Sequence, residues 1–350
     1  MDTTTYGMDI AKHVFQLHWV DPSTGEIHRK KLSRAKVSEF FAQRRASRIA
    51  IEACGGAHHW GRTLSKLGHQ VELLAPRQVR AFVCGNKDDA TDARGIWLAA
   101  QHQDIRRIAI KTEQQQANLA LHRMRSHWVS MRTATVNALR GLLYEFGVVL
   151  PKGRRLGLTL LAEQRAQIEQ HLPATVCRLL QDQLQALQEI EQHVQAMQAQ
   201  LQEVLLCDAV AQRLRQVPGI GVLGATALAA VLGDAAAWRN AREFAASLGL
   251  APAHSGSGGK VRMGGISKRG NAYLRTLLIH GARNLVRCAA PNEWIAQLLR
   301  RRPFNVVATA VAHKLARIAW AIAAHGSEYR SQWQSRQPQP PGAVMTAGAG

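Results

Sequence analysis

Four acidic residues have the types and positions that a metal-dependent phosphodiester chemistry would need: Asp9, Glu52, Asp89 and Asp92. Divalent cations such as Mg²⁺ prefer hard carboxylate oxygens, and two such ions about 4 Å apart activate a nucleophile and stabilise a leaving oxygen. Asp89 and Asp92 are three residues apart, which puts both on one face of a helix. Taken singly, each acid has a simpler interpretation, as a turn residue or a helix cap. Asp88 competes with Asp89, which we prefer for its spacing from Asp92.

Two serines flanked by glycines are the second candidates for chemistry. Ser255 and Ser257 alternate with Gly256 and precede Gly258 and Gly259. A small hydroxyl among glycines can reach a backbone phosphate, where neighbouring cations would stabilise the attacking oxygen and the pentacovalent phosphorus. The alternatives are a flexible linker-like loop and a loop that binds phosphate without reacting.

A long stretch around these serines has no acidic residue. From Phe244 to Asn292 the chain contains no Asp or Glu. Unopposed positive charge of this kind favours phosphate binding. The cations that we expect to contact nucleic acid are Lys260, Arg262, Lys268, Arg269 and Arg275.

A proline and two glycines form a candidate helix-hairpin-helix motif upstream. Gly219 and Gly221 follow Pro218 and precede an apolar helical run. Glycines allow close backbone approach, and the N–H groups at the start of the following helix can hold a phosphate without reading its sequence. A plain turn between helices is the alternative.

The elements that would position the acids follow an α/β order. Strands are predicted near residues 4–10, 14–20, 26–32, 48–53 and 70–74, with helices near 37–44, 58–67 and 89–101 and a last strand near 105–110. This succession is typical of a ribonuclease-H-like fold. In that fold strands one and four are neighbours and the last helix crosses them, so the four acids could converge.

The rest of the chain reads as helical. Residues 113–146 form a basic helical pattern. Residues 158–206 are rich in Gln, Leu and Ala, and from Leu180 to Val204 the apolar residues recur at intervals of three and four, which predicts a coiled coil. The alternative is an amphipathic helix packed within its own domain. A second, mostly helical region follows residue 207, and the C-terminal tail is rich in Pro, Gly, Ala and Gln.

The composition points to a polyanionic partner. The 350 residues contain 45 Lys and Arg against 24 Asp and Glu, a formal charge of +21, and nucleic acid is the partner that best explains this excess. We expect no membrane partner, since we find neither 18 consecutive apolar residues nor a signal-peptide pattern. Five scattered cysteines without a CxxC pair indicate reduced thiols and a cytoplasmic protein.

Five ordered motifs across residues 4–325 resemble one family, the DEDD insertion-sequence transposases, which are related to pilin-gene invertases and include the bridge-RNA-guided recombinases. The motifs are Tyr6-Gly7-Met8-Asp9-Ile10-Ala11-Lys12, Ile51-Glu52-Ala53-Cys54-Gly55-Gly56, Lys87-Asp88-Asp89-Ala90-Thr91-Asp92-Ala93-Arg94, Pro218-Gly219-Ile220-Gly221 and Gly264-Gly265-Ile266-Ser267-Lys268-Arg269-Gly270-Asn271. The resemblance implies a RuvC-like α/β domain over residues 1–111, a basic helix and coiled coil over 112–206, and a mainly α transposase domain over 207–330. Residues 331–350 would be a disordered tail.

The resemblance also implies a mechanism. Asp9, Glu52, Asp89 and Asp92 would bind Mg²⁺, with Mn²⁺ as a second candidate, and a serine would form a covalent phosphoserine with DNA. The relatives act on donor and target double-stranded DNA with an element-encoded guide RNA. They form composite sites within a tetramer; here a dimer would form through the coiled coil. Many relatives have the serine where this chain has Gly256. Ser255 and Ser257 therefore both stay candidates, and we favour Ser255 because a Ser-Gly pair also starts this loop elsewhere in the family.

Two other functions compete with recombination. A resolvase-like metal-dependent endonuclease would use water as its nucleophile and would have no use for the glycine-flanked serines. A decayed, non-catalytic nucleic-acid-binding protein would have no need of four acids. We expect the acting protein in the bacterial cytoplasm, at the nucleoid.

Overall fold

The computed structural model describes residues 3–83, 88–257, 260–288 and 293–330. Its N-terminal part is a six-stranded mixed sheet with the order β3-β2-β1-β4-β5-β6. The strands are β1 (Thr5–Ile10), β2 (Val14–Val20), β3 (Ile27–Ser33), β4 (Arg48–Glu52), β5 (Gln70–Leu74) and β6 (Arg107–Ile108). β1 to β3 are antiparallel, β1, β4 and β5 are parallel, and β6 returns antiparallel to β5. The predicted strand order is confirmed, although the last strand has only two residues.

Helices cover both faces of this sheet. They are α1 (Val37–Ala42), α2 (Ala57–Lys66), α3 (Pro76–Val79) and α4 (Asp89–Gln101). Met8 and Ile51 are buried in the core that contains residues of α1 and α2. Ala50 is buried in a second core with residues of α3 and α4. Because strand side chains alternate between faces, Asp9 and Glu52 lie on the α4 side of the sheet.

Two long helices follow the sheet and run antiparallel. They are α5 (Glu113–Glu145) and α8 (Ala174–Cys207), joined through α6 (Arg154–Glu163) and α7 (Arg165–Gln170). Trp128 of α5 stacks on His193 of α8 with ring centroids 4.2 Å apart. Arg132 of α5 binds Glu191 with an N–O distance of 2.9 Å. The region predicted as one helix over residues 158–206 is divided, since Pro173 cannot continue a helix and caps the start of α8.

The apolar seam of α8 is buried inside the chain. Leu180 and Leu187 share a core with Val136, Leu139 and Leu143 of α5. The structure therefore does not confirm a coiled coil between chains. The alternative of an amphipathic helix packed within its own chain describes α8, because α5 supplies the second helix.

The C-terminal part is mainly helical, as predicted. Its helices are α9 (Ala209–Arg215), α10 (Val222–Leu232), α11 (Ala241–Ser247), α12 (Ala272–Cys288), α13 (Glu293–Leu299) and α14 (Phe304–His325). Within the described ranges, α14 is the one helix long and apolar enough to cross a membrane. Its Val311, Leu315 and Ala319 are instead buried in the core of this region. The predicted disordered tail, 331–350, lies outside the described residues.

A buried hydrogen-bond chain ties α5 to the C-terminal helices. His122 Nδ1 lies 2.9 Å from the Tyr273 hydroxyl, and its Nε2 lies 3.1 Å from the Thr226 hydroxyl. Thr226 donates its proton to the Val222 carbonyl, so it accepts from Nε2–H, and Nδ1 accepts from Tyr273. Burial lowers the pKa of His122 to about 4, which keeps the ring neutral as this chain of bonds requires.

Candidate active site

Parallel pairing of β1 and β4 brings the first two acids together. Met8 pairs with Ile51, so the residues that follow them, Asp9 and Glu52, end the two strands side by side. Gly7 lets α4 pack directly on β1, since a Cβ at this position would lie 2.6 Å from the Trp97 nitrogen. Glycine is therefore required where α4 crosses the strand that carries Asp9.

The helix acids act on Asp9 from the other side. Burial first, and then the negative charges of Asp92, Asp89 and Glu52 in that order, together raise the pKa of Asp9 to about 6. The structure thus brings all four predicted acids within electrostatic range of one another. Like charges held together in this way favour either protonation of one carboxyl or binding of a cation.

Asp88 has a different use from its neighbour. It caps α4, and its carboxylate accepts hydrogen bonds from the Thr91 amide at 2.7 Å and the Thr91 hydroxyl at 3.0 Å. These bonds lower the pKa of Asp88. The preference for Asp89 over Asp88 agrees with this geometry, because the cap already occupies the Asp88 oxygens.

The four carboxylates have the right oxygen atoms for a divalent cation, but in the structure they lie too far apart to hold one ion. Four carboxylates offer the hard oxygens that Mg²⁺ or Mn²⁺ take. Among the described residues, however, no three His, Cys, Asp or Glu side chains are close enough to hold one ion. Asp89 is exposed at the first turn of α4, next to Asp88, and residues 84–87, which include Lys87 of the third motif, lie outside the described ranges.

Sequence reasoning missed two groups next to the acids. Gln16 pairs with Asp9 across β1 and β2, which places it on the same face of the sheet. The Cys54 thiol follows Glu52, and burial, Glu52 and Asp9 raise its pKa. The hairpin register of the first two strands was the signal that could have identified Gln16.

The serine segment is a β-hairpin, not the expected loop. Its strands are β7 (Pro252–Ser257) and β8 (Lys260–Ile266), with Ser255 opposite Arg262 and Ser257 opposite Lys260. Ser255 is exposed, whereas the Ser257 side chain and the two residues at the tip, 258 and 259, lie outside the description. Among the described elements, none packs extensively on this hairpin. Ser255 is therefore presented to solvent beside a cation, away from the strands that carry the acids.

The base of the hairpin is fixed by close backbone contacts. A Cβ at Gly249 would lie 2.5 Å from the Arg269 nitrogen, and one at Gly270 would overlap the Ser247 carbonyl oxygen. Lys268, in the turn between them, has a left-handed φ of 52°, and its amide donates to the Gly249 carbonyl at 3.1 Å. The fifth motif therefore holds the hairpin rigidly against the end of α11.

The predicted cations divide into two groups. Those with exposed side chains, available to a phosphate, are Lys260, Arg262, Lys268 and Arg269. Arg275 is half-buried, and its guanidinium donates to the Leu248 carbonyl at 2.8 Å. Its first role is therefore to hold the chain after α11.

The two glycines of the Pro-Gly turn also divide. The turn joins α9 to α10, as a helix-hairpin-helix motif requires. Gly219 has φ 87° and packs against α12, where a Cβ would lie 2.6 Å from Leu285 Cδ1. A Cβ at Gly221 would have no atom within 4 Å, and this residue is exposed at the start of α10. Gly221 is the one of the pair whose backbone a phosphate can approach.

Comparison with known proteins gives matches along nearly the whole chain. A transposase family model of the IS110 DEDD type matches residues 6–147, and the model described as "Transposase IS116/IS110/IS902 family" matches residues 211–298. A Pseudomonas aeruginosa protein named "Probable family 20 transposase" is 45% identical over 94% of this chain and 99% of its own.

Two insertion-sequence proteins extend this picture. The transposase for insertion sequence element IS1328 of Yersinia enterocolitica is 36% identical over 94% of this chain and 99% of its own. The transposase for insertion sequence element IS1111A of Coxiella burnetii is 35% identical over 94% and 92%. With the acids on a ribonuclease-H-like sheet, these matches show that the chain belongs to the IS110/IS116 family of DEDD transposases, enzymes that act on DNA in transposition.

Proposed function

We propose that this transposase cuts and rejoins DNA strands through a covalent phosphoserine, with a divalent metal, Mg²⁺ first and Mn²⁺ second, held at Asp9, Glu52, Asp89 and Asp92. The observation that carries the proposal is the placement of Asp9 close to three other carboxylates. Burial and these three negative charges raise the pKa of Asp9. Such a cluster of like charges is costly unless a cation neutralises it. The bound metal would stabilise negative charge on the reacting phosphate.

The serine step balances without any further reactant. The Ser255 oxygen attacks phosphorus, its proton leaves, and the P–O bond to one deoxyribose oxygen breaks as that oxygen takes up a proton. A hydroxyl of the second strand then attacks the phosphoserine and releases Ser255. Arg262, paired with Ser255 across the hairpin, is positioned to balance charge on the phosphate oxygens. Ser257 is the alternative nucleophile, with Lys260 in the corresponding place.

The separation of the serine hairpin from the acids supports a composite site. In one chain no described helix or strand packs extensively on the hairpin, and the acids lie on β1, β4 and α4. We propose that the hairpin of one subunit meets the carboxylates of another within a tetramer. The apolar seam of α8 is buried against α5 and does not support the expected dimer contact.

The remaining partners follow from the charge. The formal charge of +21 and the exposed cations of the hairpin suit a large polyanion. We propose double-stranded donor and target DNA together with a structured guide RNA, which would choose the target by base pairing and leave the protein to contact backbone phosphates.

A covalent-adduct assay tests the chemistry. Purified protein, its cognate RNA, Mg²⁺ and labelled DNA with the element junction are run on a denaturing gel. We expect a protein–DNA band that Asp9→Ala and one of Ser255→Ala or Ser257→Ala abolish, with at least a hundredfold loss. Asp88→Ala is the matched control for the acids, because its carboxylate is a helix cap. Cleaved DNA without a covalent band in any lane would reject the serine mechanism in favour of a resolvase-like endonuclease that uses water.

A further inference from the structure

A cleft lies where the segment after β6 meets the C-terminal helices. It has a volume of about 180 Å³ and is lined by Arg106, Lys111, Trp238, Ser247 and Asn271, among others. It is smaller than the cavities that enclose drug-sized ligands, and suits a single phosphate group.

Arg106 enters the cleft without an acidic partner. Its guanidinium lies 3.5 Å from the centre of the Trp238 ring, so its face is stacked. Its Nε is buried and has no hydrogen-bond partner among the described residues. Burial lowers the pKa of Arg106, and the negative charge of Glu243 partly opposes this shift. A stacked guanidinium keeps its N–H edge free to donate to an oxyanion.

Lys111 is in a more unusual position. Its backbone amide donates to His58 Nδ1 at 3.2 Å, and its Nζ lies 3.2 Å from His58 Nε2. Because Nδ1 accepts, the proton of the neutral ring is on Nε2 and points at the ammonium group, which has no acceptor to offer. Burial, Arg106 and Arg123 all lower the pKa of Lys111, and none of its perturbing groups is an acid.

The neighbouring Arg107 shows what a satisfied cation looks like in the same segment. Arg107 Nε binds Glu72 at 3.0 Å, and its other nitrogens donate to main-chain carbonyls. Neither Arg106 nor Lys111 takes part in an ion pair with any residue in the described ranges. Both side chains are half-buried, and a partly desolvated cation without an ion pair is costly unless a ligand supplies the opposite charge.

We infer that this cleft is a binding site for one backbone phosphate of a polynucleotide, held by Arg106 and Lys111 with the side-chain amide nitrogen of Asn271 as a further donor, since the Asn271 oxygen already accepts from the Leu274 amide. The bound phosphate would connect the sheet region to the C-terminal helices, since the cleft is lined from both sides. The site goes beyond the carboxylate–serine chemistry and does not depend on it, because binding here involves none of those residues.

Thermal unfolding of the full chain tests the anion site. Lys111→Met removes the ammonium group and keeps the bulk, and Lys66→Met at an exposed lysine of α2 is the matched control. In chloride, Lys111→Met should unfold at a higher temperature than wild type, because a half-buried ammonium group without an ion pair is gone. Inorganic phosphate at ten times its dissociation constant should raise the Tm of wild type and Lys66→Met by about 2–4 °C.

The comparison between variants removes the general stabilising effect of phosphate salts, which acts on all three proteins alike. We expect Lys111→Met to lose the additional Tm rise. An equal rise in all three proteins would overturn the inference. Lys111→Gln, which keeps a polar group but no charge, provides the same comparison if the methionine variant fails to fold.

Salt titrations then identify the polymer. Single-stranded DNA and RNA oligonucleotides are bound at several salt concentrations, and the slope of log affinity against log salt is compared between proteins. Loss of one phosphate contact should reduce that slope by about 0.7 in Lys111→Met, for whichever polymer enters the cleft. Slopes unchanged for both polymers would also overturn the inference, even with phosphate bound, since the site would then take only free phosphate.

Discussion

At the residue scale, the acids were identifiable because their positions follow from short periodicities. The alternation of side chains along two buried strands puts Asp9 and Glu52 on one face, and helical spacing puts Asp89 and Asp92 on another. What the sequence could not specify was the distance between them. That distance depends on how closely α4 packs on β1. Gly7 allows the close packing, and the α4 residues that it contacts are 85 or more residues further along the chain.

Asp9→Asn should stabilise the metal-free protein at neutral pH. The folded-state pKa of Asp9, about 6, lies above its unfolded value of 3.8, so the contribution of Asp9 is favourable below pH 4 and is lost as the pH rises through 6. In EDTA at pH 7.5 we expect Asp9→Asn to gain roughly 1 kcal/mol, less than the full shift implies, because water screens a partly exposed carboxyl.

Chemical denaturation of both proteins across pH measures this gain. The difference between them should shrink towards zero below pH 4, and Mg²⁺ at pH 7.5 should stabilise the wild type more than the variant. A variant less stable than wild type at pH 7.5 in EDTA would show that Asp9 is not held among like charges.

At the element scale, the sheet was predictable and the serine hairpin was not. Buried apolar residues mark the strands of the sheet, whereas the described side chains of β7 and most of those of β8 are exposed, and both strands contain glycine, so no hydrophobic pattern marks them. Similarly, the heptad spacing of α8 was read correctly as an apolar face, but the spacing does not say which helix covers it. Pro173, the residue before α8, marks the start of this helix in the sequence, because proline cannot continue a helix.

Gly281→Ala should disrupt the contact between the Pro-Gly turn and α12. A Cβ at Gly281 would overlap the Gly219 carbonyl oxygen. The Cβ is fixed by the backbone of α12 and the oxygen belongs to the backbone of the turn, so neither atom can rotate away. We expect a loss of about 3 kcal/mol or more in the free energy of unfolding. The control, Gly221→Ala, has open space and an ordinary φ of −81° and should change stability by less than about 1 kcal/mol.

Urea denaturation of the two variants and wild type measures both effects. Equal stability of Gly281→Ala and wild type would mean that α12 and the turn are further apart than described. The same Gly221→Ala protein should bind DNA more weakly if the exposed start of α10 holds a phosphate.

At the scale of the whole molecule, charge and composition indicated a nucleic-acid partner. They could not predict how α5 packs against the C-terminal helices. The contact of His122 with Tyr273 joins residues 151 positions apart. Nothing in the local pattern around either residue marks that pairing. The stacking of Arg106 on Trp238 was equally unpredictable. From the composition alone, Arg106 would have been assigned to the surface.

Leu187→Asp should unfold the helical pair, not separate subunits. Leu187 is buried against α5 within the chain, so a carboxylate there costs about 3–5 kcal/mol. Leu206→Asp on the same helix is the control, since Leu206 is 64% exposed. Circular dichroism and light scattering over a range of concentrations separate the outcomes. If the wild type is an oligomer and Leu187→Asp is a well-folded monomer, the result would instead support a coiled coil between chains.

The solitary hairpin has a consequence for the rate law. If the serine of one chain reacts only beside the carboxylates of another, then formation of the phosphoserine is at least second order in protein where chains are mostly unassembled. Halving the concentration would cut the initial rate about fourfold, in keeping with mass action. A transposase with this dependence is nearly silent at a few copies per cell, so the copy number of the protein itself limits how often its DNA moves.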